Sequence, residues 1–124
     1  MLYIFWRRST MSGSKKLKLS IALPSKLKEE FKLMVIKDGY GMRGKSKWVA
    51  EAVEKFLQIE NFQDFVCLAE AQENLNDKEM IFAEETLEKQ INQGVIAVRK
   101  IYPLMEGVKS KILRAAIMQR LFRR

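Results

Sequence analysis

Lysine alternates with aliphatic residues near the front of the chain, in the run Lys16-Leu17-Lys18-Leu19-Ser20-Ile21-Ala22-Leu23. Lys16, Lys18 and Ser20 can donate hydrogen bonds, and Ala22 can offer only a methyl contact. A second cluster, Gly44-Lys45-Ser46-Lys47, combines a small residue, a hydroxyl and two cations. Catalytic chemistry finds little support. The chain has no histidine, so it lacks the commonest general base and metal ligand. Its one cysteine, Cys67, allows neither an internal disulfide nor a cysteine-based zinc site, and reads as a small buried hydrophobe. Gly39, Gly41 and Gly44 lack the spacing and preceding strand of a dinucleotide-binding loop. No enzyme activity, metal or cofactor is expected.

The balance of charge points to a polyanion. The 124 residues include 23 Lys and Arg against 15 Asp and Glu, a net charge of +8. That charge is segregated. Residues 1–24 and 25–58 are net basic, 59–93 are strongly acidic, and 94–124 are basic again, which implies more than one functional surface. At 48% hydrophobic the composition is globular. No apolar run approaches the roughly 18 residues of a membrane span. Leu2-Tyr3-Ile4-Phe5-Trp6 is too short and precedes its arginines, the wrong order for a secretory signal. Residues 1–15 read as a flexible basic arm, with Met11 a second possible start. A reducing cytoplasm is the expected compartment.

The elements that must position these residues follow from periodicity. Residues 16–24 alternate with period two, a half-buried strand with Leu17, Leu19, Ile21 and Leu23 on its inner face. Pro24 stops it, and Ser25 is a candidate helix cap. Leu27, Phe31, Met34 and Val35 make the apolar stripe of a helix over 26–38. The glycines of 39–45 make a loop. A second helix runs from about Ser46 to Leu57, with Trp48 and Phe56 in the core. The remainder reads as wholly helical. A cap at Asn76-Asp77-Lys78-Glu79 opens a helix to about Asn92, a hinge falls at Gln93-Gly94, and Pro103 forms a break. No internal repeat is evident.

A lone strand leaves its backbone groups unpaired. With no second strand evident, its expected partner is the same strand of another copy, in an intertwined homodimer. The outer face of such a ribbon would carry Lys18, Ser20 and Ala22 twice, and a two-stranded ribbon fits the DNA major groove. The order of strand, Leu23-Pro24, helix, Gly39-containing turn and Lys45-Ser46-Lys47-Trp48 helix resembles the ribbon-helix-helix DNA-binding family over 16–58. The resemblance implies base reading by Lys18, Ser20 and Ala22, with Lys16 as a substitute. It also implies phosphate anchoring by Gly44, Lys45, Ser46 and Lys47.

The expected fold is therefore mostly α: one strand and two helices in a dimeric module, then an all-helical region over 59–124. That region is too apolar for a disordered tail and is expected to drive higher oligomerisation or hold a protein partner. The expected function is sequence-specific binding of double-stranded DNA, as a transcriptional repressor. Alternatives are a plasmid partition or conjugation accessory protein, or an oligomeric scaffold that binds no DNA.

Overall fold

The computed structural model describes residues 16–41, 43–69, 75 and 77–122. The arm expected over 1–15, and Met11 with it, lies outside the described residues. Among those residues, β1 (Leu17–Leu23), α1 (Ser25–Lys37), α2 (Lys45–Phe56), α3 (Phe62–Ala69), β2 (Asp77–Ala83), α4 (Glu85–Ile101) and α5 (Val108–Phe122) follow in order. The protein is mostly helical, with a small two-stranded antiparallel sheet.

The sheet corrects the central expectation from sequence. β1 pairs with β2 of its own chain, in a register that sets Lys18 opposite Phe82, Ser20 opposite Met80 and Ala22 opposite Lys78. The orphan strand has a partner in cis, so backbone pairing does not require a second copy. The region 59–124 is accordingly not all-helical. Asp77-Lys78-Glu79 opens a strand rather than capping a helix, and the helix after it begins only at Glu85.

A repeat emerges with that strand. β1-α1-α2 and β2-α4-α5 are two strand-helix-helix units, joined by α3. Ile21 and Ile81, Leu27 and Leu87, and Phe31 and Ile91 hold equivalent places, and all six are buried. Trp48, Val49, Ala52 and Val53 of α2 correspond to Ile112, Leu113, Ala116 and Ile117 of α5, again all buried. The Ser20–Met80 pair lies at the centre of the ribbon, so each end of one strand faces the opposite end of its counterpart. Strand pairs with strand and α2 packs on α5, as two intertwined subunits would.

One core serves both units. α5 runs through its middle, against α2, α3, α4, β1 and α1, and is buried on nearly every side from Ile112 to Ile117. A helix with no polar face belongs inside. The C-terminal helices thus share the core of the first unit. Phe31 meets Trp48 edge-on at 5.2 Å, and Phe56 meets Phe62 edge-on at 5.7 Å, which ties α3 to the end of α2. Trp48 donates its indole N–H to Asp38 at 2.8 Å. Arg120 of α5 stacks over the Trp48 ring at 4.4 Å, donates to the Trp48 carbonyl at 2.8 Å and lies 3.5 Å from Glu51.

Two local expectations also change. Pro24, not Ser25, stands at the cap position of α1, with no side-chain cap bond. Gly94 is no hinge. It sits inside the unbroken helix α4, where a Cβ would lie 2.9 Å from Leu57 Cδ2 and 3.3 Å from Ile112 Cδ1. Glycine there lets α4 close on α5 and the end of α2.

Folding should therefore be unimolecular. The thermal midpoint is expected to stay constant over a roughly hundredfold range of protein concentration. A midpoint that climbs with concentration would show that association is part of folding. Ile81→Asp puts an unpaired charge under the ribbon, opposite Leu19, and is expected to abolish the cooperative transition, at a cost of several kcal/mol, read by circular dichroism.

Candidate nucleic-acid interface

The ribbon has two unlike faces because strand side chains alternate. Ile21, Leu23, Ile81 and Ala83 point inward and are buried. Lys18, Ser20, Lys78, Met80 and Phe82 point outward and are exposed, with Ala22 half-buried among them. The outer face thus holds Lys18, Ser20 and Ala22 as expected, though once rather than twice. Their counterparts Lys78, Met80 and Phe82 escape the sequence reading. Neither strand presents a carboxylate at these six positions.

An acid occupies the inner face instead. Glu79, at the place equivalent to Leu19, is only 5% exposed. Its carboxylate accepts a hydrogen bond from Lys45 and lies 3.6 Å from Lys28 Nζ and 3.7 Å from Lys32 Nζ. Burial pushes the Glu79 carboxyl up, but the Lys45 hydrogen bond and the charges of Lys45, Lys32 and Lys28 outweigh it, so the net shift is downward. A buried carboxylate survives here because three cations converge on it. Lys45 is therefore engaged within the fold as a partner of Glu79.

The start of α2 lies against the ribbon. The Phe82 backbone N–H donates to Ser46 Oγ at 2.9 Å, so Ser46 closes the free edge of β2 rather than standing open to an anion. Gly44 occupies the cap position, and a Cβ there would lie 2.2 Å from the Tyr40 carbonyl oxygen. Only glycine allows the loop to fold so tightly onto the helix. Lys47 is exposed, and with Lys16, Ser46 and Phe82 it lines a groove of about 470 Å³ that Glu51, Glu54 and Glu84 also border. Lys16 thus lies at the ribbon's end, beside Phe82.

The second unit repeats this arrangement. Lys109-Ser110-Lys111 near the start of α5 reproduces Lys45-Ser46-Lys47, after a turn at Gly107 with φ +63°. α5 packs against β1, and Arg114 donates to the Ala22 carbonyl at 3.4 Å. Burial alone lowers the Arg114 pKa from its usual value. Ala22 and Phe82 are repeat counterparts, so each strand is met there by the second helix of the other unit. The recurring Lys-Ser-Lys triplet was the sequence signal available for the second cluster.

Cys67 is half-buried, in line with a packing role. No protein-family model, curated protein or solved structure matches the chain.

Two substitutions probe the site's framework. Because Glu79 titrates lower when folded, its contribution is present above the unfolded carboxyl value of about 4.3 and is lost as pH falls through the folded value. Glu79→Gln is expected to cost roughly 1–3 kcal/mol near neutral pH. The gap between variant and wild type should narrow on acidification below about pH 4.3, as measured by denaturant unfolding. Gly44→Ala should destabilise by more than the roughly 1 kcal/mol that an unstrained glycine-to-alanine change would gain, and so reverse its sign.

Proposed function

We propose that this protein binds double-stranded DNA sequence-specifically, laying the β1–β2 ribbon into the major groove and acting as a transcriptional repressor. The observation that carries this reading is the outer face of the ribbon, where exposed Lys18, Ser20, Lys78, Met80 and Phe82 project from a backbone anchored beneath by a packed core. A two-stranded ribbon has the width of the major groove, and side chains standing off it reach base edges. Lysine donates to guanine O6 and N7, and serine donates or accepts.

The flanks support the same reading. Lys47 beside Phe82, and the Lys109-Ser110-Lys111 turn on the unit that meets Ala22, offer cations and helix N-termini at both ends of the ribbon, where phosphates would run. The net charge of +8 favours association with a polyanion. The arrangement resembles a ribbon-helix-helix dimer whose two subunits have been joined into one chain. In that likeness a single molecule fills one operator and blocks it without doing chemistry.

Base-reading and phosphate-binding lysines should behave differently. Lys18→Ala is expected to cost about 1–3 kcal/mol on the preferred site and to relax selectivity at one position. Lys47→Ala should weaken all duplexes nearly equally and lower the salt slope by about 1. Gel shifts across a salt series distinguish the two. Lack of any shift at low salt on random duplex DNA would exclude the function and favour a scaffold.

A further inference from the structure

The two strands of the ribbon carry different chemistry at equivalent places. Lys18 and Lys78 match, at diagonally opposite ends of the outer face. The other counterparts do not. Ser20 faces its own counterpart Met80 across the centre, and Ala22 corresponds to Phe82. Met80 is 37% exposed and Phe82 is 52% exposed, so on the ribbon's outer face β2 carries two large apolar side chains where β1 carries Ser20 and Ala22. Neither is needed by the core beneath, which is filled by Ile21, Leu23, Ile81 and Ala83.

Resting on the DNA-binding reading above, we propose that Met80 and Phe82 make the ribbon read an asymmetric site, with one half selected for thymine methyl groups. The only apolar feature that base pairs offer in the major groove is the C5-methyl of thymine. Met80 has a flexible, polarisable thioether suited to such a surface, and Phe82 adds a flat ring next to it. The other strand has a hydroxyl at Ser20 and a single methyl at Ala22, a smaller and more polar footprint. The matched lysines read acceptor edges at symmetric outer positions. The recognised sequence is then an imperfect inverted repeat: guanines flank it symmetrically, and thymines lie on the side that meets Met80 and Phe82.

A symmetric homodimer would carry the same residues on both strands and would have no reason to prefer one orientation. Here both strands belong to one chain, so the difference is built into every molecule, and the protein sits on its site in one direction.

The experiment is selection of bound sequences from random duplexes by the full chain, followed by binding to the selected site with thymine replaced by deoxyuridine in either half. Uracil keeps every hydrogen-bonding group of thymine and removes only the methyl. Wild type is expected to select a non-palindromic core and to lose about tenfold in affinity when the Met80/Phe82 half is substituted, with a much smaller loss in the other half. Met80→Ser/Phe82→Ala gives both strands the same outer residues. It should abolish the uracil sensitivity and shift preference to a palindrome built from the Ser20 half. Phe82→Ala alone, with folding checked by circular dichroism, gives an intermediate result and guards against loss of structure in the double variant. A palindromic selection by wild type, or equal uracil effects in both halves, overturns the asymmetry while leaving DNA binding intact. Failure to retain any duplex at low salt overturns the DNA-binding reading itself.

Discussion

The structure depends on the pairing of β1 with β2. A single strand carries backbone donors and acceptors that must be satisfied, and two residues past the centre in either direction its side chains return to the same face. Once Leu17–Leu23 is held antiparallel to Asp77–Ala83, Ile21 and Ile81 come together over the core. Each second helix is then brought against the strand of the other unit. α3 serves that geometry: Phe62 and Val66 are buried as the chain crosses from the end of α2 back to the start of β2.

Much of the first unit could be read from the sequence. The alternation at 16–23, Pro24, and the stripe of Leu27, Phe31 and Val35 have few competing explanations, and β1, α1 and α2 fall where these signals place them. The second unit hides its strand for a specific reason. Alternation at 77–83 is broken on both faces: Asp77 and Glu79 stand at inward places where a strand pattern requires apolar residues, and Met80 and Phe82 are apolar at outward ones. Its lysines come from α1 and the start of α2, more than thirty residues earlier, as the Lys45 contact shows. A window of local sequence cannot register a charge that is compensated at that distance. Asp77, Lys78 and Glu79 together have the residue types of a helix start, although they open a strand.

The repeat was obscured in the same way. The matching core positions hold Phe31 against Ile91 and Trp48 against Ile112, alike in burial but not in identity. Pro24 corresponds to Glu84, which removes the clearest punctuation mark from the second copy. Half of the candidate interface was legible for this reason, and Met80 and Phe82 were not. Gly94 shows the complementary failure. A glycine read as a hinge is instead a point of close approach, a distinction that depends on Leu57 and Ile112 and not on neighbours in sequence.

Glu79 has a further consequence, for which strands recognise one another. In the cis ribbon it meets Lys28, Lys32 and Lys45 of the first unit. If β2 strands from two copies were exchanged to pair together, each Glu79 would face the counterparts of Lys28, Lys32 and Lys45, which are Glu88, Asn92 and Lys109, so two of the three cations would be gone. A buried carboxylate left with one lysine in place of three, and close to a second acid, is disfavoured. The buried acid therefore acts as a discriminator between self and foreign strands. It makes the heterotypic β1–β2 partnership the favoured one and sets a penalty on tangling between neighbouring molecules as they emerge and fold at high local density.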